Sequence, residues 1–244
     1  MKTSDTATHG RRAVIELREK IFSGELHGGM RLFEVSLAEK LDISRTPIRD
    51  ALSRLCEEGL LDRLPNGGFV VRRFVYADVI DSIELRGVME GTAVRLAAER
   101  GVEAAALDHI KATLVKLDAC FGEEQEDVDF DAYAELNALF HQQLAGLAAS
   151  DVIRREVERA SSLPFASPSA FVPNRSRISA FWRSLRFAQS QHHELVRAIA
   201  AREGARAEAI AREHARTARS NLDYIFDEEP DLLAKIPGLA IIHR

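Results

Sequence analysis

Apolar residues recur at helical spacing from early in the chain. Val14, Leu17 and Ile21 predict a helix over 11–23, closed by Gly24 and followed by a Gly28-Gly29 turn. Residues 1–9 read as a frayed polar end. A short helix is expected over 36–41, then a tight turn at Asp42-Ile43, then a longer helix over 44–59. At about 100° per residue, Ile48, Ala51, Leu52 and Leu55 share one side of that helix, while Arg45, Thr46, Arg49 and Ser53 gather on the other. Ser44 offers an N-cap hydroxyl, and Pro47 falls in the first turn, where a missing N–H loses no helical partner. Beyond it, β-like runs at 60–64 and 69–73 flank Pro65-Asn66-Gly67-Gly68, a hairpin turn whose residues accept positive φ. Residues 74–78 read as the hinge region.

From residue 78 onward the pattern is helical, with almost no strand signal. Helices are expected over 78–100, stopping at Gly101 as a C′ residue, and over 103–120, 129–149, 151–161, 176–202 and 205–226. Three prolines mark 162–174 as a loop. The tail from about 227 has apolar residues around a proline and suits packing on the bundle or on a partner subunit. The expected fold is mainly α: an N-terminal winged helix-turn-helix over 1–75, then an all-α antiparallel bundle of about six helices over 76–244.

Charge supports the division. Residues 1–75 carry 13 Lys and Arg against 11 Asp and Glu, while the remainder carries 20 against 27, so the net charge of −5 hides a basic head on an acidic body. Only the first part suits a polyanion, and binding follows such local balance. Cys56 and Cys120 have no metal-type spacing, so reduced thiols are expected. No apolar run approaches the roughly 20 residues of a membrane span, and the first residues lack the apolar core of a signal peptide. A cytoplasmic protein without membrane association is expected.

Arginines at i and i+4 beside small hydroxyls suit a helix set in a DNA major groove, where a guanidinium bonds guanine O6 and N7. On the helix alone, a solvated polar face explains them equally well. The preceding short helix, the tight turn and the following hairpin together have the spacing of a winged helix-turn-helix. The SRTPIRDAL core, the Leu55–Leu61 exit and the GGFVV wing resemble the DNA-binding domain of the GntR family of bacterial transcription regulators, over residues 11–73. Arg45 and Arg49 are the base-reading candidates, Ser44 and Thr46 reach a phosphate or base edge, and Gly67 and Gly68 form the wing tip near the minor groove. Arg11, Arg12 and Arg31 are candidates for phosphate contacts.

In the helical part, Asn137, His141, His192 and His214 lie at or near apolar stripes. A single core histidine is more often hydrogen-bonded than metal-bound, but three on the inner faces of three helices offer what a divalent metal requires. The stripe Leu185, Gln189, Val196, Ile199 places His192 inside and leaves His193 facing solvent. ELRGVMEGTAVRLAAE, LFHQQL, HxxLVxAI and REH resemble the FCD domain of the FadR subgroup, over roughly 78–226. That resemblance implies a metal held by His141, His192 and His214, with Asn137 where relatives have an aspartate. The departure weakens this ligand, because an amide oxygen is neutral. Zinc is the first choice of ion, with nickel or manganese behind it. The resemblance also implies that Arg86 meets the carboxylate of a small organic acid, against the alternative of a salt bridge to Glu90. A homodimer on double-stranded operator DNA is expected, a regulator and not an enzyme. The alternative is a metal-dependent hydrolase or lyase built on the His-lined bundle, but no general base stands convincingly beside the histidines.

Overall fold

The computed structural model describes residues 3–65, 67–124, 127–168, 179–233 and 238–244. Asn66 of the hairpin turn and residues 169–178 of the proline-marked loop lie outside the described residues; 162–168 form turns. The chain divides into two compact units, Met1–Val79 with Asp231–Arg244, and Ile80–Pro230. The division differs from the expected one in the tail, which joins the first unit.

The first unit opens with α1 (Thr3–Phe22), so the stretch read as a frayed end continues the helix instead. Val14, Leu17 and Ile21 are buried along one stripe. Strand β1 (Arg31–Leu32), α2 (Glu34–Leu41) and α3 (Arg45–Glu57) follow. Asp42 supplies the left-handed residue that closes α2 (φ 51°). Ser44 is the N-cap of α3, but its hydroxyl makes no capping hydrogen bond. The helix start therefore rests on Pro47 and on burial of Ile48, Ala51, Leu52 and Leu55, each at most 1 % exposed. The wing is β2 (Leu61–Arg63) and β3 (Phe69–Val71), turned through Gly67 and Gly68 at φ +82° and +89°. Leu61 pairs with Val71 and Arg63 with Phe69, and β1 adds antiparallel to the far side of β3. The two-residue β1 has no periodicity of its own and is recognisable only through its partner.

The expected hinge is instead a strand, β4 (Phe74–Val75), followed directly by α4 (Tyr76–Arg100). It pairs in parallel with β5 (Ile242–His243). Leu239 and Ile242 are buried, and Gly238 N–H donates to Phe22 O at 3.2 Å. The tail is thus an element of the N-terminal unit.

In the second unit α4 is followed by α5 (Ala104–Asp118), α6 (Phe130–Gly146), α7 (Asp151–Ser161), α8 (Ser179–Ala200) and α9 (Gly204–Asp227), six helices among the described residues. Gly101 ends α4 at φ +87°, as its position predicts. Asp129 and Ser150 cap α6 and α7 by accepting from Ala132 N and Ile153 N. The core gathers Val94, Ile110, Leu114, Tyr133, Phe140, Leu195 and Ile199. Helices α4 and α9 meet through glycine. A Cβ on Gly87 would stand 2.8 Å from that of Ala215, and one on Gly91 would stand 3.2 Å from side-chain carbons of Glu208 and Arg212. That close approach brings Arg86 and Glu90 of α4 to the level of His214 on α9.

Candidate functional site

Two places carry the chemistry, one in each unit. In the first, Arg45 and Arg49 project from α3 with side chains 64 % and 61 % exposed. Ser44 and Thr46 are exposed beside them. These residues do not stand free. Glu34, at the start of α2, accepts from Arg49 Nε and Nη2 at 2.9 Å each, and lies 3.8 Å from Arg45 Nη2. The Arg49 hydrogen bond outweighs partial burial and holds the Glu34 carboxyl below its ordinary range. A groove of about 460 Å³ runs past Arg31, Glu34, Arg45 and Arg49 to Gly67 and Gly68. It runs from the exposed polar face of α3 to the tip of the wing. Arg12 is engaged internally, donating to Leu41 O at 2.7 Å and pairing with Glu16.

In the second unit, His141 on α6, His192 on α8 and His214 on α9 come together as a buried group. His192 Nε2 lies 3.1 Å from His214 Nε2, which lies 3.3 Å from His141 Nε2. Each Nδ1 faces an oxygen: Glu90 Oε1 at 2.8 Å for His141, Gln189 Oε1 at 2.9 Å for His192, Gln191 Oε1 at 3.1 Å for His214. A carboxylate oxygen and an amide oxygen only accept, so each Nδ1 carries the proton and each Nε2 turns a lone pair inward. Three lone pairs at such spacing repel unless a cation lies among them. With ligand bonds of about 2.0–2.1 Å, donors of a tetrahedral site stand roughly 3.3–3.4 Å apart. The donor set therefore fits a divalent ion. His141, His192 and His214 could hold a metal.

The electrostatics agree. Burial, then the neighbouring imidazoles, push His192 well below the ordinary histidine range; burial and then His141 bring His214 down to about 3. Both rings are neutral, the form that ligates. Burial opposes the charge on Glu90, but the attraction of His141 and Arg86 prevails and keeps it ionised. Phe140 covers the His192 ring at a centroid distance of 4.3 Å.

Asn137, one turn before His141, is buried and donates from Nδ2 to Pro168 O at 3.2 Å; Oδ1 is its atom able to ligate. Arg86 is 2 % exposed, and among the described residues its Nε and Nη1 have no hydrogen-bond partner. The Arg86–Glu90 ion pair considered from spacing does not form among the described residues, because the Glu90 carboxylate turns to His141. A cavity of about 40 Å³ opens between Arg86, Asn137, Ser184, His214, Thr217 and Asn221, room for roughly three water-sized groups. His192 is fully buried, whereas His193 is a third exposed and bonds Asp118 at 2.9 Å. Reading the sequence assigned no part in these sites to Glu34, Gln189 or Gln191, and named Glu90 only as a salt-bridge partner for Arg86. Gln189 carried a signal, as a polar residue beside His192 on an inward stripe, and Glu90 carried one in its spacing from Arg86.

A winged helix-turn-helix with an arginine-lined groove, joined in one chain to a helical bundle around a buried polar pocket, defines a ligand-sensing transcription regulator. Residues 10–71 match the family described as bacterial regulatory proteins, gntR family, and 81–217 match the FCD domain. The chain belongs to the GntR family, as a DNA-binding regulator with a ligand-sensing C-terminal domain. Among its relatives, the Nta operon transcriptional regulator of Aminobacter aminovorans is 31 % identical over 71 % of this chain and 75 % of that protein. The HTH-type transcriptional regulator LutR of Bacillus subtilis is 28 % identical over 85 % of this chain and 98 % of that one. The fold is shared with Lar of Listeria monocytogenes (TM-score 0.61, 20 % identity, 86 % of this chain and 96 % of that one). It is shared also with E. coli McbR/YncC (TM-score 0.58, 21 % identity, 90 % and 98 %). The hydrolase or lyase alternative finds no support in these relatives, which are named as regulators. Among the described residues no helix is long and apolar enough to cross a membrane.

Proposed function

We propose that this protein binds operator DNA as a homodimer in the cytoplasm, and that a short-chain carboxylate, held beside a metal ion in the helical unit, sets its affinity for that DNA. The observation that carries the reading is the buried Arg86 guanidinium, whose Nε and Nη1 meet no hydrogen-bond acceptor among the described residues. A buried N–H without an acceptor costs about 1–3 kcal/mol, more when charged, and here two such donors belong to a residue lining a cavity that His214 also lines. An anion satisfies them. Carboxylates suit the planar fork of an arginine, and Ser184, Thr217 and Asn221 offer further hydrogen bonds to such a ligand.

His141, His192 and His214 would hold the ion, with Asn137 Oδ1 as a fourth donor. A three-histidine set with a neutral amide favours zinc, then nickel or manganese. An ion held by these histidines would supply positive charge in addition to that of Arg86, and so a second point of attachment for the carboxylate. On the DNA side, Arg45 and Arg49 read base edges, Ser44 and Thr46 take phosphates or base edges, and Gly67 and Gly68 let the wing approach the minor groove. Two recognition helices related by a dyad would meet a two-fold operator. Ligand and DNA then communicate through their different affinities for two states of the dimer.

Thermal unfolding of the chelator-stripped and the zinc-reloaded chain, each against a panel of short carboxylic acids, tests this. An acid that raises the melting temperature of the zinc form, and does so less in the stripped form and not at all in Arg86→Met, is expected. Equal shifts in Arg86→Met and wild type would overturn the reading.

A further inference from the structure

The hydrogen bond that fixes His192 does not end at its partner. Gln189 and His192 are 5 % and 0 % exposed on α8, and the Gln189 amide is tied at both ends. Its Oε1 accepts from His192 Nδ1 at 2.9 Å, while its Nε2 donates to Asp118 Oδ1 at 2.7 Å and, more weakly, to Leu114 O at 3.4 Å. Asp118 is the last residue of α5, and its side chain is 46 % exposed. Neither a carboxylate nor a carbonyl can donate, so the amide must present its NH₂ group to α5. The opposite end, the oxygen, is then the only one left for His192. An oxygen there requires a proton on Nδ1, and a proton on Nδ1 leaves Nε2 with the lone pair that points at His141 and His214.

We propose that Asp118 and Gln189 are positioning residues for the metal pocket: a surface carboxylate on α5 orients a buried amide, which selects the tautomer of His192 that can ligate. The inference rests on the metal reading given above, but it concerns a property of the metal-free chain. The other two histidines lack this arrangement. His141 meets a carboxylate directly, and the Gln191 oxygen that serves His214 also accepts from Thr217 Oγ1 at 3.4 Å. His192 and His214 both face a glutamine oxygen, but among the described residues it is the amide at His192 that a carboxylate at the protein surface orients. His193 Nε2 bonds Asp118 at 2.9 Å and also lies 3.5 Å from Gln189 Nε2; the ring nitrogen that donates to the carboxylate cannot accept from the amide, so His193 does not decide which end of the amide faces α5.

The test uses the full chain labelled with ¹⁵N-histidine, stripped of metal, with imidazole nitrogen shifts reporting the tautomer and zinc affinity measured separately against a competing chelator. Wild type is expected to show His192 protonated on Nδ1. Gln189→Leu removes the acceptor and should yield mixed or Nε2-protonated His192, with zinc binding weakened roughly 10- to 100-fold, the range for lost outer partners of a ligand. Asp118→Ala should move both readouts the same way but less, since Leu114 O still accepts. Asp118→Glu keeps an acceptor-only carboxylate and should stay nearer wild type than Asp118→Ala, and Asp118→Asn, whose amide can donate as well as accept, should fall between Asp118→Ala and wild type. His193→Ala, which leaves both the carboxylate and the amide in place, should stay near wild type. An unmoved tautomer in Gln189→Leu and Asp118→Ala, with far-UV circular dichroism intact, overturns the proposal even if zinc binds. A tautomer that moves as expected in a chain that never binds zinc upholds the positioning pair and rejects the metal reading instead.

Discussion

Replacing Gly87 by Ala inserts one methyl group where α4 and α9 touch. In most helices this change helps, because alanine is favoured over glycine by about 0.5–1 kcal/mol. At this position the new Cβ would stand 2.8 Å from Ala215 Cβ, with Arg212 backbone atoms at 3.6 Å. Neither Ala215 nor the Arg212 backbone can swing aside, so the helices must separate. Overpacking of that kind costs about 1–3 kcal/mol, and the net loss should be about 1–2 kcal/mol. For a unit of this size each kcal/mol moves the midpoint by roughly 2–4 °C, so thermal unfolding followed by far-UV circular dichroism should fall by about 2–8 °C. Gly146, exposed at the end of α6 with nothing within 4 Å of the place a Cβ would take, provides the opposite case. Gly146→Ala should leave the midpoint unchanged or raise it by a few degrees. His214 precedes Ala215, so Gly87→Ala should also weaken zinc binding while Gly146→Ala does not. If both substitutions raise the melting temperature alike, the glycine does not set the helix spacing, and the explanation of how Arg86 and Glu90 reach the pocket fails.

Further measurements reach the other parts of the molecule. His192→Ala should lower the zinc retained after desalting while His193→Ala retains it, and the reverse result would place the wrong neighbour in the pocket. Arg49→Ala should lose about 1–3 kcal/mol of binding per base contact to a DNA sequence selected from a random pool, measured by fluorescence anisotropy; equal affinity of mutant and wild type would remove Arg49 from the reading face. Leu239, 1 % exposed, should cost about 2–5 kcal/mol when replaced by Ala, and an unchanged chemical denaturation of the N-terminal unit would contradict the packing of the tail.

The parts that could be read in advance are those whose information is local. The order of helices from α4 to α9 follows from apolar spacing, and the stop at Gly101 from the left-handed residue it supplies. The choice of His192 over His193 follows from a stripe of four residues on one helix, and the structure buries the first and leaves the second bonded to Asp118. A local rule applied without its neighbours goes astray. Ser44 has the right position for a cap and makes no capping bond. Arg86 and Glu90 have the spacing of an ion pair, yet Glu90 finds a better partner 51 residues away.

What the amino-acid sequence determined by itself was the kind of element at each point and the side of it that turns inward, because helix periodicity, caps and turns depend on residues a few positions apart. The tertiary structure alone decided the partners: Glu34 for Arg49, Gln189 and Asp118 for His192, and the parallel pairing of Phe74 with Ile242 across most of the chain. Those choices depend on which faces meet in space. A glutamine or glutamate on an inward face announces that it needs a partner, but only the packing of the helices determines which one it meets.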